Sequence, residues 1–362
     1  MKKISLAIHI TIALGLLTTG YAPYLNPEHC GIVALAGYAF PLFLLLTAAS
    51  LALAAFTCKK HLAVPVAALI AAYQPVTLYT PFHRQQQAPE GAMTIVSYNT
   101  HNWGTGEHDG NTTKEDKENS AQTVLRYLTE TNADIICLQE SSLGGKQQAA
   151  IDSTLGKAYQ HHDTVLCANK AQLTIFTRYP IKRKELIQYE SPGNGSAAFW
   201  LDIHGKEVIV VNNHLQSTGL SIEDRNQFAD MVHGRNDTIK DISRNIFSKL
   251  LNATRIRVPQ AQAVATFIRS HHYGPAGTPI IVCGDFNDIP QSYVHHTIAD
   301  GLTDCYQATA TGPGFSFSRY GMRVRIDNVL CTPDITPYNF RVDQTITASD
   351  HYPIIGKLLL AP

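Results

Sequence analysis

The chain has 362 residues with 29 basic and 29 acidic side chains, so its formal net charge is zero. This length suits about two structural units rather than one small domain. The first 92 residues hold five Lys or Arg and two acids, which leaves 24 basic against 27 acidic residues in the rest. Proteins that bind nucleic acid without sequence preference usually have a basic surplus, so this balance argues against DNA or RNA as the main substrate.

Three apolar stretches near the N-terminus are candidates for membrane-spanning helices. They cover residues 4–21, 32–56 and 62–79. The first reaches spanning length only when it includes residues 18–21, because a crossing helix needs about 20 apolar residues. We therefore predict a membrane region over residues 1–80 with about three transmembrane helices. Alternatively, the first stretch is a signal peptide that is cleaved, since Lys2 and Lys3 precede it.

The basic residues of this region predict its orientation. Lys2 and Lys3 precede the first stretch, Lys59 and Lys60 separate the second from the third, and the loop at 22–31 has no Lys or Arg. Basic residues favour the cytoplasmic side, so three crossings would leave everything after residue 80 outside the cytoplasm. This pattern predicts a multi-pass membrane protein whose soluble domain faces the extracytoplasmic side.

The seven cysteines do not identify a redox compartment. Five of them lie after residue 92, an odd number with no close pairs. Such spacing gives neither a disulfide framework nor a zinc site. Cys137 and Cys283 fall in apolar runs, which predicts positions in the core.

After a predicted linker at 81–92, short apolar runs alternate with amphipathic segments. Runs rich in Ile and Val predict buried strands at residues 93–96, 135–138, 173–176, 197–203, 207–211 and 280–283. The fourth and fifth runs form a predicted hairpin across His204-Gly205. Residues 100–119 are predicted to form a loop before a helix at 120–131, with Ser120 as its N-cap. The alternation predicts an α/β sandwich whose sheets are mixed rather than purely parallel.

A long polar stretch at residues 216–259 separates two of these strands. It is charged and mostly helical in pattern, with apolar residues at spacings of three and four. These residues are Ile239, Ile242, Ile246 and Leu250. The helical pattern continues over residues 261–272, before the predicted strand at 280–283.

Short polar blocks border the apolar runs and hold the side chains that phosphate chemistry requires. The blocks are Ser97-Tyr98-Asn99, Leu138-Gln139-Glu140, Asn212-Asn213-His214-Leu215, Gly284-Asp285-Phe286-Asn287, Arg325-Ile326-Asp327-Asn328 and Ser349-Asp350-His351. Polar groups at the C-terminal ends of strands converge at one edge of an α/β sheet. Their carboxylates and imidazoles are typical of a divalent-metal phosphoryl hydrolase, in which a cation neutralises the phosphate and a base activates water.

Several positions within these blocks suggest individual roles. Glu140 and Asn99 lie at the ends of neighbouring predicted strands and are candidate ligands for Mg²⁺, which prefers oxygen donors. Asp350 and His351 are predicted to point to opposite sides of an extended chain, so that one faces the metal and the other the substrate. Asp327 can fix the tautomer of His351.

Asp285 and Asn287 are two residues apart and are predicted to share one face of an extended segment. Asp285 can orient the attacking water or handle the leaving-group proton, while Asn287 and Asn212 are neutral donors for phosphate oxygens. Each residue alone also has an ordinary interpretation, since Asp and Asn favour turns. Glu140 can be a helix cap or a surface acid, and His214 a structural histidine.

The order and the residues of these blocks resemble the motifs of the endonuclease/exonuclease/phosphatase superfamily. Its members include DNase I, abasic-site endonucleases, inositol-polyphosphate phosphatases and bacterial sphingomyelinases. The resemblance covers Met93 to Leu359 and rests most on Gly-Asp-Phe-Asn and Ser-Asp-His-Tyr-Pro. It implies a catalytic domain over residues 93–362 with the fold of DNase I, a four-layer α/β/β/α sandwich. The site is then expected at one end of the paired sheets.

The resemblance also implies roles for single residues. Glu140 is then the main metal ligand, with Asn99 and Asp350 nearby, and the cofactor is Mg²⁺ with Mn²⁺ as an alternative. His351 paired with Asp327 acts on the scissile phosphate. The residues implied to position water and phosphate, or to protonate the leaving group, are Asp285, Asn287, His214 and Asn212. The sequence leaves open which histidine is the base and which is the acid.

Two departures from the resemblance concern the surroundings of the site. Asn328 follows Asp327 where many members carry an aromatic residue, a small change beside the site. The stretch at 218–258 is longer than in compact members, and insertions after strand ends lie beside active sites. We expect this helical insertion to form a wall or lid that shapes substrate choice.

The sequence therefore predicts a membrane-anchored, metal-dependent phosphoesterase that hydrolyses phosphodiesters or phosphomonoesters outside the cytoplasm. Its substrate class is open between nucleic acid, a lipid head group and a sugar phosphate. One alternative is an extracytoplasmic nuclease, and another is a catalytically silent binding module of the same fold. The expected partners are the phosphate ester and the lipid bilayer, and no protein partner is evident from the sequence.

Overall fold

The computed structural model describes residues 2–106, 113–142, 146–168, 171–232, 239–272 and 277–361. Parts of two predicted segments lie outside the described residues. They are residues 107–112 of the predicted loop and residues 233–238 of the predicted insertion. The side chain of Ile239, the first member of the predicted apolar stripe, also lies outside them.

The N-terminal region is a small bundle of apolar helices. Its α-helices are α1 Lys2–Gly20, α2 Pro27–Cys30, α3 Phe40–Thr57, α4 Ala63–Ala71 and α5 Tyr73–Tyr79. Tighter 3₁₀ segments connect them at Ala22–Tyr24, Gly31–Ala39 and Lys59–Leu62. The bundle has its own buried cluster, which includes Leu16, Phe40 and Ala68.

The prediction of about three spans is supported in part. Among the described residues, the helical run Pro27–Thr57 is long and apolar enough to cross a membrane. The helix over Ile4–Gly20 is apolar but shorter, and Lys59–Ala71 meets Tyr73–Tyr79 at 64°. Length and composition therefore support one span, or two if the bent pair forms a broken one.

The bend between α4 and α5 has a local cause. Pro75 has no N–H to donate to the carbonyl of Ala71, so the helix cannot continue straight through this turn. The hydroxyl of Tyr21 donates to that carbonyl instead, at 2.6 Å. The sequence pattern showed an uncharged stretch of sufficient length but not this break.

The rest of the chain is built on two six-stranded sheets. In chain order the strands are β1 Met93–Asn99, β2 Ile135–Gln139, β3 His161–Leu166, β4 Gln172–Thr177, β5 Ile181–Leu186, β6 Gly195–Ile203, β7 Lys206–His214, β8 Ile280–Asp285, β9 Thr303–Asp304, β10 Phe317–Arg319, β11 Met322–Val324, β12 Asp327–Cys331, β13 Ile335–Val342 and β14 Ile354–Leu360. Sheet I has the order β13-β14-β1-β2-β4-β3, sheet II has the order β5-β6-β7-β8-β12-β9, and β10 and β11 form a small hairpin. The pairs β1–β2 and β7–β8 are parallel, and the other pairs are antiparallel, which confirms the mixed sheets.

The sandwich part of the chain also contains helices. They are α6 Lys114–Thr131, α7 Lys146–Ala158, α8 Ile222–Val232, α9 Ile239–His271, α10 Tyr293–Ala299 and α11 Cys305–Thr309. Of these, α6 and α7 pack on the outer face of sheet I, and α9 and α10 pack on the outer face of sheet II. Ile95 of sheet I and Phe199 of sheet II belong to one core between the sheets. Val124 of α6 packs in the outer cluster of sheet I, and Val264 of α9 packs in that of sheet II. The result is the four-layer α/β/β/α arrangement.

Strand direction brings the polar blocks to one edge. The parallel strands β1, β2, β7 and β8 end there, and the antiparallel strands β12 and β14 begin there. His214 and Asp327 both pair with Asp285 in the register of sheet II. The blocks that contain Asp327 and Asp350 therefore precede their strands, whereas the other blocks form the strand ends.

One helix boundary differs from the prediction, and one predicted continuation crosses a proline. Helix α6 begins at Lys114, not at Ser120, because Thr113 and Asp116 form a capping box that satisfies the first turn. Helix α9 continues through Pro259. The missing hydrogen bond at this proline is offset by packing and by polar contacts on either side, where Val258 is fully buried and Gln260 accepts from the backbone N–H of Gln216.

The N-terminal bundle docks on the sandwich through one of its ends. The Tyr38 hydroxyl donates to Asp288 at 2.8 Å, and the Arg325 guanidinium donates to the carbonyl of Leu78 at 2.8 Å. Gly37 allows the closest approach, because a Cβ there would lie 1.9 Å from the carbonyl oxygen of Gln291. The two regions are therefore in direct contact.

The predicted linker is also held against the sandwich. The backbone N–H of His83 donates to the carbonyl of Ala310 at 3.1 Å. Farther along, the backbone N–H of Gln86 donates to the side chain of Asn339 at 2.9 Å. The segment therefore lies along the surface of the sandwich.

Candidate active site

His351 and Asp327 form a buried pair where the strands of the two sheets meet. The Nδ1 atom of His351 lies 2.8 Å from Oδ2 of Asp327, and its Nε2 atom lies 3.7 Å from Oδ2 of Asp285. Ser316 fixes the start of β12, because its hydroxyl accepts from the backbone N–H of Asp327 at 3.0 Å. This arrangement orients the ring of His351 between two carboxylates.

The charges around His351 favour its protonated form. Burial alone would lower the pKa of His351, but the carboxylates of Asp327 and Asp285 hold that pKa well above its usual range. Burial also raises the pKa of Asp285 to about 6, with a further contribution from the charge of Asp327. A positively charged ring beside a less acidic carboxyl group suits binding and proton transfer at a phosphate.

Asp285 contacts several other residues of the site. Its carboxylate accepts from the Asn99 amide at 3.0 Å and from the backbone N–H of Asn287 at 2.7 Å. His214 Nε2 lies 3.8 Å away. Gly284 makes this position possible, because its φ is +122° and a Cβ would lie 2.0 Å from the carbonyl oxygen of Asn213.

Glu140 follows β2 directly and has a left-handed backbone, with φ +48°. This conformation is uncommon for a residue other than Gly, Asn or Asp. The Asn99 amide donates to the Glu140 carboxylate at 3.1 Å, and Nε2 of His214 lies 3.5 Å from it. The Glu140 side chain is 29% exposed, so one side of its carboxylate faces the cavity.

Asp350 lies on the same cavity, next to His101. The Nδ1 atom of His101 is 3.5 Å from Oδ1 of Asp350. The backbone is left-handed at His101, Asn102 and Trp103, and the Asn102 N–H donates to the carbonyl of Glu140 at 2.8 Å. This turn brings a histidine into the site that the sequence analysis did not identify.

The donor set fits a hard divalent cation. Glu140 and Asp350 present carboxylate oxygens to the cavity, and such oxygens are the ligands that Mg²⁺ prefers. Ligand atoms of Asp285, Asp327 and His351 also lie within 4.8 Å of one another. Within this group, Asp327 and His351 bond to each other. The Asn99 amide donates to both Glu140 and Asp285, which suits an orienting role beside the metal.

The site opens into a cavity of about 630 Å³. Its polar end carries the predicted residues Glu140, His214, Asp285, Asn287, Asp350 and His351. Among the other lining residues, Tyr38, His101, Arg225 and Arg323 carry polar or charged groups that were not predicted at the site. For His101 there was a signal, its place two residues after Asn99 at a strand end. Tyr38 had no such signal, because tertiary packing brings it there from the N-terminal bundle.

The family is established by the sequence. The model described as the Endonuclease/Exonuclease/phosphatase family matches residues 96–351, well over half of the chain. The chain belongs to this family. A second model, described as a domain of unknown function, matches residues 2–79 of this family member. No curated protein matches the sequence.

Solved structures share the fold of this Endonuclease/Exonuclease/phosphatase domain. A family protein from Beutenbergia cavernae has a TM-score of 0.52 at 16% identity, over 77% of this chain and 72% of its own. The human Nocturnin catalytic domain has a TM-score of 0.52 at 14% identity, over 77% and 96%. A mannosyl-6-phosphatase from Bacteroides thetaiotaomicron has a TM-score of 0.51 at 17% identity, over 74% and 100%. At these identities the similarity shows the fold.

Two predictions about neutral donors need correction in this family member. Asn212 lies between the sheets, where its amide donates to the carbonyl of Leu138 at 3.0 Å and its oxygen accepts from Gln139 at 2.6 Å. It is fully buried and does not line the cavity, because it lies two residues deeper along β7 than His214. Asn212 therefore supports the strands rather than contacting phosphate.

Asn287 does line the cavity, but not by the predicted geometry. Its φ is +52°, so the segment turns and is not extended after Asp285. The Asn287 amide donates to the carbonyl of Leu215 at 2.9 Å and to Asp285 at 3.2 Å. Its two donors thus hold Asp285 in place.

Proposed function

We propose that the protein is a metal-dependent phosphoesterase tethered to a membrane, with its catalytic domain outside the cytoplasm. The observation that carries this proposal is the set of His351, Asp285 and Glu140 at one end of one cavity, with Asp327 bonded to His351 behind it. The proposed domains are a membrane region at 1–80, a linker at 81–92 and a catalytic domain at 93–362 with the helical insertion at 218–258.

In the proposed mechanism His351 donates from Nε2 to a phosphate oxygen, since Asp327 binds Nδ1 and keeps the ring charged. Asp285 accepts a proton from water as the water oxygen bonds to phosphorus. The ester P–O bond then breaks, and His214 can return a proton to the leaving oxygen. A divalent cation held by Glu140 and Asp350 would neutralise charge on the phosphate.

The surface of the N-terminal bundle supports the membrane tether. Only 22% of the most apolar window in Pro27–Thr57 is buried, unlike the core helix of a soluble protein. Exposed large apolar residues cover the outer faces of α1, α3 and α4, among them Ile8, Leu14, Leu42, Leu45, Leu53 and Ile70. An exposed apolar area of this kind is typical of contact with lipid.

The charge pattern supports the orientation. Lys59 and Lys60 lie in the connection between α3 and α4. Tyr38 contacts the sandwich just before the start of α3, and Leu78 does so near the end of α5. Both contacts are therefore at the helix ends away from the two lysines. By the positive-inside rule, the lysine end faces the cytoplasm and the sandwich faces the other side.

A direct assay tests the activity. The full-length protein in detergent is stripped of metal with a chelator and assayed on bis(4-nitrophenyl) phosphate and 4-nitrophenyl phosphate. We expect hydrolysis of at least one ester on addition of Mg²⁺ or Mn²⁺. No hydrolysis of either ester with either metal would reject the enzyme in favour of the silent binding module.

A further inference from the structure

The cavity has an apolar wall that the catalytic chemistry does not use. On one side the wall is formed by the insertion, through Leu220, Phe228, Ile246 and Leu250. On the other side it is formed by the β10–β11 hairpin region and the loop after β8, through Met322, Val324 and Ile289. Hydrolysis of a small polar phosphate ester needs no such surface.

The apolar stripe of helix α9 explains where the wall comes from. The C-terminal half of this helix buries Ala261, Val264 and Ile268 against sheet II. In the N-terminal half, Ile246 and Leu250 continue the stripe beyond that cluster and line the cavity instead. An amphipathic helix face that does not pack on the sheet therefore faces the site.

Polar contacts link the two helices of the wall to each other and to the rest of the domain. Asp224 of α8 pairs with Lys249 of α9 and accepts from the Asn245 amide at 2.8 Å. Deeper in the fold, Arg257 of α9 donates to Asp288 at 3.1 Å and to the carbonyl of Gln216 at 2.9 Å. These contacts join α8 to α9, and α9 to the residues that follow β7 and β8 beside the site.

The N-terminal bundle borders the same cavity. Tyr38 lines it and donates to Asp288, which also binds Arg257. Tyr38 lies in Gly31–Ala39, directly before the apolar helix α3. A molecule that leaves the outer surface of this bundle would therefore meet the apolar wall and the carboxylate end of one cavity.

We propose that the substrate is an amphiphilic phosphate ester, whose phosphate lies at the catalytic end while its long hydrocarbon chain lies along this wall. The inference rests on the proposed phosphoesterase function and adds the substrate class. Arg225 and Arg323 line the cavity as well and can pair with negative charge on the head group. A nucleic acid would instead call for a basic groove, and the sandwich part of the chain has fewer basic than acidic residues.

A chain-length series tests the proposal with the full-length protein. Matched sets of alkyl phosphates and alkyl 4-nitrophenyl phosphates, from methyl to octyl, are assayed below their micelle concentrations. We expect kcat/KM to rise by a factor of about four for each methylene that the wall buries. A flat series with clear hydrolysis of the methyl ester would overturn the substrate class alone. Absence of all hydrolysis would overturn the proposed function as well.

Variants locate the chain on the wall. Leu250→Ser should flatten the series when each rate is divided by the variant's own rate on the methyl ester. Leu250→Trp should end the rise in kcat/KM at shorter chains, because the larger side chain occupies space along the wall. Ile256→Ser is the matched control, since Ile256 is 38% exposed on the same helix and does not line the cavity.

Two further outcomes count against the proposal. If both Leu250 variants keep the wild-type slope, the chain does not lie on this wall. If a single-stranded oligonucleotide is hydrolysed with a higher kcat/KM than the octyl ester, the substrate is a nucleic acid instead.

Discussion

The Nδ1 atom of His351 lies 2.8 Å from Oδ2 of Asp327, although the two residues are 24 positions apart in the chain. Asp327 starts a strand of sheet II, and His351 lies just before the last strand of sheet I. The pair therefore joins the two sheets at the edge where Asp285 and Glu140 also lie. Substitutions in this pair therefore test the proposed chemistry directly.

Asp327→Asn should remove the negative charge that keeps His351 protonated and oriented. We expect kcat to fall by roughly 10²–10⁴-fold, the usual contribution of a positioned acid or base. The pH–rate profile should also change, because the pKa of His351 falls without the carboxylate and the alkaline limb moves to lower pH. Measurement of kcat across pH 5–10 checks this; an unchanged profile would show that the pair is only structural.

Glu140→Gln should weaken metal binding more than it disturbs the fold. The amide keeps the shape of the side chain but loses the charge that attracts a hard cation. We expect turnover to fall by orders of magnitude and the Mg²⁺ concentration for half-maximal activity to rise. Metal titration of activity, together with a thermal melt, separates the two effects. The exposed Glu207→Gln on β7 serves as the control and should match the wild type.

Asp304 does not line the cavity and gives a pH-dependent contribution to stability. Burial alone would raise the pKa of Asp304, but the Arg325 guanidinium and His295 bring this pKa down to about 2. The folded-state pKa is thus below the ordinary value of 3.8. The stabilisation is therefore present above about pH 4 and is lost as pH falls toward 2.

Asp304→Asn should accordingly destabilise the protein by about 2 kcal/mol at neutral pH. The difference in melting temperature from the wild type should shrink as pH falls from 5 to 2. Asp202→Asn is the control, because Asp202 pairs with Lys182 at 2.9 Å on the surface and should have little effect. Equal losses in the two variants would contradict the role of burial.

The proposed topology predicts which cysteines react in intact cells. A membrane-impermeant maleimide should label a cysteine introduced at the exposed Gln86, which lies in the linker outside the cytoplasm. It should leave the native Cys58, next to Lys59, unlabelled until the cells are permeabilised. Both proteins carry Cys30→Ser, because Cys30 is free, partly exposed and predicted to lie on the outer side. The native Cys58 is then compared with Gln86→Cys in a Cys58→Ser background. Labelling of Cys58 before permeabilisation would reverse the orientation.

Much of the sandwich follows from the sequence, because strands covered on both faces read as short apolar runs. The hairpin around His204-Gly205 and the residues at the polar end of the cavity were found in this way. The start of helix α6 was missed, since its first turn is charged and only the Thr113–Asp116 pair marks it. The polar composition of residues 100–119 predicted a loop, and the two residues of the capping box were too weak a signal to change that prediction.

The sequence could not show how deeply a side chain is buried or which distant segment packs against the site. Asn212 and His214 share one face of β7, but only the stacking of the sheets determines that Asn212 is sealed beneath the site. Tyr38 comes from a different region of the chain, about 250 residues before Asp288, its hydrogen-bond partner. Such relationships depend on how separate layers pack.

The central claim is that His351 and its carboxylate neighbours form a metal-dependent phosphoesterase site. The most direct test measures nitrophenolate release from bis(4-nitrophenyl) phosphate and phosphate release from 4-nitrophenyl phosphate by the metal-stripped full-length protein and its His351→Ala variant, each with and without Mg²⁺. The account predicts turnover in the wild type that requires the metal, and a loss of orders of magnitude in the variant, which should still melt cooperatively as a folded protein. Turnover that needs no metal, or that survives in His351→Ala, would contradict it.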